Sequence, residues 1–143
     1  TRNGSYIEMI AYGVAYKGDN VDVMIRVDVS SKTREAVVTA SELSGKKVQF
    51  LTGVNYHEGQ KVSYAEGYIS VWGPHPVKKT ETPFAIGAGL RFSSKEFPIV
   101  EKTDDMVRII SKAASKVTTK IVSASVKEAE LNSAKRFEAY MMK

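Results

Sequence analysis

Apolar and polar side chains alternate most regularly near the start of the chain. Residues 6–31, YIEMIAYGVAYKGDNVDVMIRVDVSS, hold two such stretches around Gly18, Asp19 and Asn20. Because these three residues favour turns, the segment predicts a hairpin of two long strands. Five apolar side chains of the second strand share one face: Val21, Val23, Ile25, Val27 and Val29. We expect that face to be buried and the opposite face to contact water.

Further strands are predicted in the middle of the chain. Residues 46–56, 60–73 and 84–92 are rich in β-branched and aromatic side chains, and prolines at 74, 76 and 83 mark a loop before the last of them. The segment near residues 33–44 is ambiguous, because Ala36, Ala40 and Leu43 recur at helical spacing while AVVT also fits a strand. We favour a short helix there.

The last third of the chain has helical periodicity. Thr103 is a candidate N-cap, and the two aspartates after it suit a helix N-terminus. Apolar side chains then recur along one stripe: Met106, Ile110, Ala113, Val117, Ile121 and Ala124. Beyond Lys127 the apolar stripe rotates, so we expect a kink, a second helix or a change of packing partner near residues 123–127.

Together these patterns predict a single α+β domain over residues 1–143. An antiparallel sheet of about five to six strands would occupy the β-rich part, residues 1–100, and a long helical region over 103–142 would pack on it. A chain of 143 residues can bury roughly 68–70% of its unfolded surface, which is enough for a core without disulfides.

Composition excludes several classes of protein. Apolar residues make up 43% of the chain and charged residues 26%, so wholesale disorder is not expected. The absence of cysteine excludes disulfides, thiolate metal sites and thiol catalysis, and leaves the compartment open, with the cytoplasm favoured. No apolar run approaches the roughly 20 residues that span a bilayer, and TRNGSY does not resemble a leader, so no membrane contact is predicted.

The net charge of +5 is concentrated in one segment. Arg108, Lys112, Lys116 and Lys120 follow each other at intervals of four residues, with Lys127 beyond them. On a helix this spacing places like charges side by side, which costs stability unless an anion lies against them. Small hydroxyl residues flank the ladder and could donate to phosphate oxygens. The alternative is a solvated lysine face, which describes most such runs.

Aromatic and basic residues also alternate in the middle of the chain. Phe50 and Tyr56 precede three candidate stacking residues, Tyr64, Tyr68 and Trp72. Nearby lysines could extend a basic patch: Lys46, Lys47, Lys78 and Lys79, with Lys61 among the aromatics. Exposed rings of this kind stack on the bases of single-stranded nucleic acid. Strands also use aromatic side chains to fill cores, and we favour that interpretation because the three candidates share one parity.

Catalytic chemistry has little support. His57 and His75 are the two histidines, both in predicted turns, and neither has a partner at zinc-ligand spacing. A pair of His57 and Glu58 is conceivable but is better interpreted as surface turn residues. The glycines of AIGAGLRF lack the rest of a phosphate-loop motif and favour close packing instead. We predict no enzyme, no catalytic residue, no metal and no cofactor.

Two functions remain as hypotheses. The first is a non-catalytic domain that binds DNA or RNA electrostatically, with weak sequence specificity, through the basic helix face. The second is a structural or assembly subunit of a virion, an appendage or a multiprotein complex. In that alternative the rotated apolar face of residues 128–143 would mediate self-association.

Overall fold

The computed structural model describes residues 3–78 and 80–143. Within this range the chain forms ten β-strands and one short helix. In chain order they are β1 (Gly4–Tyr16), β2 (Asp19–Ser30), β3 (Ala36–Glu42), β4 (Leu51–Asn55), β5 (Lys61–Ala65), β6 (Tyr68–Pro74), β7 (Ala85–Phe92), β8 (Ile99–Lys102), β9 (Met106–Ile110), β10 (Lys116–Ser125) and α1 (Ala134–Met141).

These elements form three layers. The middle layer is a seven-stranded antiparallel sheet in the order β1-β2-β3-β10-β7-β6-β5, and the strands β4-β9-β8 form a second, smaller sheet. One hydrophobic core lies between the two sheets: Ile69, Val71, Leu90, Phe97, Val107, Ile109 and Val117. The other core lies between the large sheet and α1: Tyr68, Val122, Ala124, Leu131, Phe137 and Met141. Both faces of β6 and β7 are therefore largely buried, whereas β10 contributes side chains to both cores and leaves Lys116, Lys120 and Ile121 exposed.

The predicted α+β architecture with a long helical region over residues 103–142 is wrong. That segment forms β9 and β10, and only Ala134–Met141 is helical. Residues 107–110 and 117–122 are rich in valine, isoleucine and threonine, which favour strands. Moreover, a repeat of four residues is twice the period of a strand as well as close to one helical turn. The spacing that indicated a helix fits β10 equally well.

The short helix predicted near residues 33–44 is also wrong. Residues 36–42 form β3, which pairs with β2 on one side and with β10 on the other. Its pair of adjacent valines, Val37 and Val38, faces both sides of the sheet. Ten strands in the described residues, rather than five to six, follow largely from these two corrections.

The predicted hairpin is present, and its turn is tighter than expected. Lys17 and Gly18 both adopt positive φ, at 49° and 82°, which is the backbone of a two-residue type I′ turn. Burial differs from the prediction. Val21 is buried, but Val29 is 47% exposed and the residues between them on that face are only half-buried. The smaller sheet packs on the same face of the large sheet, but over β6 and β7, so it leaves β1 and most of β2 uncovered.

The C-terminal helix lies close to the sheet because two glycines face it. A Cβ atom built on Gly87 would lie 2.7 Å from the ring of Trp72 and 2.8 Å from Phe137, and one on Gly89 would lie 2.7 Å from Met141. Three apolar side chains of residues 128–143, a segment that was expected to mediate self-association, are buried here instead, namely Leu131, Phe137 and Met141, whereas Met142 is exposed.

Substituting Gly87→Ala should therefore destabilise the protein, by about 1–3 kcal/mol, because the added methyl group overpacks the α1 interface. Urea denaturation measures the loss. The penalty should shrink in a Phe137→Leu background, where the smaller side chain leaves room for the methyl group. Equal penalties in the two backgrounds would contradict a direct clash with Phe137.

Candidate interaction surfaces

The first surface is the outer edge of β1. Six large apolar side chains of this strand are between 40% and 74% exposed, and they point to both faces of the sheet: Tyr6, Ile7, Met9, Ile10, Tyr12 and Val14. β1 pairs with β2 only, so from Ser5 to Tyr12 its other side presents backbone N–H and C=O groups that no other described strand pairs with. Exposed apolar edges of this length are rare in proteins that remain monomeric.

β1 has one feature that protects a sheet edge, an irregularity between Ala11 and Val14 where Gly13 adopts a φ of 64°. It lacks most of the others. Its 13 residues include no proline or lysine, and Glu8 is its one charged residue. That charge is already compensated, since Glu8 accepts from Arg26 at 3.0 Å, and Arg26 also pairs with Asp28 at 2.8 Å. The Arg26 guanidinium lies 3.9 Å from the centroid of the Tyr6 ring. The edge is thus nearly neutral and apolar.

The remaining sheet edges in the described residues differ from β1 in length. β4 and β5 have five residues each, and β8 has four. β5 begins with Lys61, whose ammonium group is 2.8 Å from Glu138 of α1. β8 carries both Glu101 and Lys102. Short strands and edge charges discourage pairing with another chain.

The open apolar face continues from β1 towards the small sheet. Ile7, Met9 and Val29 are exposed on it, and so is Leu51 at the border of the small sheet. Two clefts of about 460 and 220 Å³ open where β4 lies over the large sheet. Arg34 lines the larger cleft, where its guanidinium is held by Glu128 at 2.7 Å.

The second surface collects part of the predicted basic patch. An isolated bridge between Val48 and Ala114, with both N–H···O distances at 2.9 Å, joins the β3–β4 and β9–β10 connections. It brings four of the candidate cations to one end of the large sheet, with a fifth further along β10: Lys46, Lys47, Lys112, Lys116 and Lys120. Lys46 pairs with Asp19 at 2.6 Å. The other four are exposed and have no ion pair among residues 3–78 and 80–143.

The structure separates the other basic candidates from this group. Arg108 lies in β9 and pairs with Glu101, its neighbour on β8, at 2.8 Å. Lys127 follows the opposite end of β10, with its ammonium group 4.2 Å from the ring centroid of Phe84. Lys78 is in the β6–β7 connection at that same end, and Lys79 lies outside the described residues. The ladder is therefore divided among three places.

The three candidate stacking residues do not share one face of the sheet. Tyr68 is buried in the α1 core, and the Trp72 ring lies 5.7 Å from Phe137. Tyr64 is 47% exposed and faces the other side of the sheet, since it pairs with Ile69 whereas Ala65 pairs with Tyr68. A two-residue turn thus reverses the parity between β5 and β6. Phe50 and Tyr56 are half-buried against the inter-sheet core.

The two histidines meet although they are 18 positions apart in the chain. The His57 and His75 rings are in edge-to-face contact at 4.9 Å, and both residues are exposed. In the part of the chain that the structure describes, no group of three or more potential metal ligands occurs.

Sequence reasoning missed a polar cluster beneath α1. Glu35 Oε1 lies 3.1 Å from Arg91 Nη1 and accepts from the Tyr140 hydroxyl at 2.7 Å. Arg91 Nη2 donates to the backbone carbonyl of Tyr140, and the buried Nε of Arg91 has no hydrogen-bond partner among the described residues. The Tyr140 hydroxyl holds the pKa of Glu35 below its usual value, and burial raises the pKa of Tyr140. The cluster fixes the end of α1 to the sheet.

Comparisons with protein-family models, with curated proteins and with solved structures found no match to this chain. Among the described residues, no helix is both long and apolar enough to cross a membrane. The geometry of these surfaces is therefore the basis for any functional assignment.

The Glu35 cluster predicts how stability depends on pH. Because folding lowers the pKa of Glu35, its contribution to stability is present above its ordinary pKa of 4.5 and is lost as pH falls through the folded-state value. The free energy of unfolding of wild type should therefore decrease more steeply than that of Glu35→Gln between about pH 5 and about pH 3. Urea denaturation over this range measures both slopes.

Glu58→Gln provides the control, because it makes the same charge change in the exposed β4–β5 turn. Parallel slopes for wild type and Glu35→Gln would contradict a stabilising role of the ionised Glu35 carboxylate.

Proposed function

We propose that this protein is a structural subunit that assembles with copies of itself through β1. The observation that carries this proposal is a 13-residue apolar edge strand without proline, lysine or a covering element in the described residues. Adding another strand to this edge would pair its backbone N–H and C=O groups and bury the exposed apolar side chains on both faces.

A second copy is the partner that fits best, because of strand length. The other described edges, β4, β5 and β8, have at most five residues and would leave most of β1 unpaired. Only another β1 matches its length. Antiparallel pairing of two β1 strands is isologous and closes around a two-fold axis, which is the commonest symmetry of soluble oligomers. The product is a continuous sheet of fourteen strands, seven from each copy.

Side-chain chemistry restricts the register of this pairing. A register that sets Glu8 opposite Glu8 of the second copy would oppose like charges and is disfavoured. Registers offset from it place apolar side chains of the two copies beside each other on both faces of the sheet. Ile7 and Met9 would then extend the apolar face that β2 leaves open.

Lysines introduced into β1 should abolish assembly. We expect light scattering to give wild type a mass above that of the 15.7 kDa chain and to give Met9→Lys/Ile10→Lys the mass of a monomer. The two lysines place a charge on each face of the edge, as natural edge strands do. Both side chains are already about half-exposed, so the folded monomer should persist with an unfolding transition close to that of wild type.

Val77→Lys/Val126→Lys is the matched control, since it exchanges two apolar residues of similar exposure outside the strands. It should assemble as wild type does. A monomeric wild type at about 100 μM, or normal assembly of the β1 variant, would contradict the proposal.

As a second function we propose electrostatic binding of nucleic acid. The observation in its favour is a group of four exposed lysines that have no ion pair among the described residues: Lys47, Lys112 and Lys116 at one end of the large sheet, and Lys120 further along β10. A strand, rather than the predicted helix, displays the last two. Contacts of this kind neutralise phosphates and carry little sequence information.

A salt titration tests the second function. If all four lysines contact phosphates of single-stranded DNA, the logarithm of the binding constant should fall with the logarithm of salt concentration with a slope of about −3. Filter binding between about 50 and 200 mM salt measures that slope. The absence of binding at the low end would rule out this function.

A further inference from the structure

A cleft of about 410 Å³ opens between the end of α1, the β7–β8 turn and β10. Three basic and three hydroxyl residues line it together with one acidic and one aromatic side chain; the basic and hydroxyl residues are Arg91, Lys120, Lys143, Ser93, Thr118 and Thr119. The sequence gives no sign of it, because these residues come from three separate segments. It lies next to the cluster in which Glu35 and Tyr140 hold Arg91.

The lining has the composition of an anion site. Arg91, Lys120 and Lys143 supply three positive charges, against two negative charges from Glu96 and the adjacent Glu35. The Ser93 and Thr118 hydroxyls can donate, and neither makes a side-chain hydrogen bond within the described residues. Hydroxyl donors beside lysine and arginine are a typical environment for a phosphate group.

The cleft continues into a track along β10, whose own residues include no acid, although Glu35 lies near enough to Lys120 to interact with it electrostatically. Lys116, Thr118 and Lys120 share one face of the strand, about 7 Å apart at each step. Their partners on β3 are uncharged, namely Ser41, Thr39 and Val37. This face is open beyond α1, and it leads from the cleft to Lys112 in the β9–β10 connection. A small anion would use the cleft alone, whereas a linear polyanion would use the whole track.

We infer that the cleft binds a backbone phosphate of single-stranded nucleic acid and that the strand then follows β10 past Lys116. This inference rests on the second proposed function and names its site. It needs neither Arg108 nor Lys127, both of which lie elsewhere. Contacts come from lysines and hydroxyls, so the site reads the backbone and not the bases.

The test compares two double variants of equal net charge. Lys116→Ser/Lys120→Ser removes the track, and Lys78→Ser/Lys127→Ser removes two lysines at the other end of the sheet. Fluorescence anisotropy with a labelled oligothymidylate of about 15 nucleotides measures binding. The track variant should bind roughly tenfold more weakly, with a salt slope shallower by about 1.4. The affinity of the control variant should stay within about twofold of the wild-type affinity, because the control variant keeps every proposed phosphate contact.

Each outcome separates one claim from another. Wild type that does not bind the oligonucleotide overturns nucleic-acid binding itself. Binding that both double variants weaken equally retains that function but overturns the track, because net charge alone would then account for it. If inorganic phosphate displaces the oligonucleotide at a comparable concentration, the claim that the site binds a polymer is overturned, and the cleft is a site for small anions. Unfolding curves of the two variants in urea exclude misfolding as the cause of a loss.

Discussion

Backbone pairing through β10 is the constraint on which the rest of this structure depends. β10 joins β3 on one side to β7 on the other, and so connects the β1–β2 hairpin to the strands that carry α1. Its side chains are buried in both cores, with Val117 between the two sheets and Val122 beneath α1. An antiparallel sheet satisfies each interior strand on both sides, and only its two edge strands remain half-paired. The proposed assembly uses the edge strand β1, and the proposed anion binding uses the lysines of β10.

The two edge strands of the large sheet, β5 and β1, differ in how well they are protected from pairing with another chain. At the β5 end the strand is short, and Lys61 and Ser63 both bond to Glu138 of α1. At the β1 end a strand of 13 residues carries a single charge, on Glu8, which Arg26 compensates, and no element among the described residues covers it. The two faces of the sheet differ as well. Near β1 one face is apolar and open, whereas the other carries Arg26 and, further along, the lysines of β10. Assembly through the edge leaves that second face free for a polyanion.

The sequence allowed the β1–β2 hairpin to be predicted, because Gly18 and strict alternation act over short distances. It did not allow β10 to be recognised. Lys116 and Lys120 are four apart, which suits a helix turn and a strand face alike, and only pairing with β3 and β7 decides between them. Two-sided burial also hides the period-two pattern that identifies a half-exposed strand. The Glu35 cluster gave no signal, since Glu35 and Tyr140 are 105 positions apart. Tyr64 and Tyr68 were misplaced together because a turn between them reverses the parity.

Amide hydrogen exchange along β1 tests the central claim most directly. In an antiparallel strand, backbone N–H groups point alternately to the two sides, so one set of β1 amides bonds to β2 and the other faces outward. The outward set should be protected at high protein concentration and lose that protection on dilution, while the amides of β10 remain protected throughout. Outward β1 amides that exchange freely at every concentration would show that no strand adds to this edge, and would contradict assembly through β1.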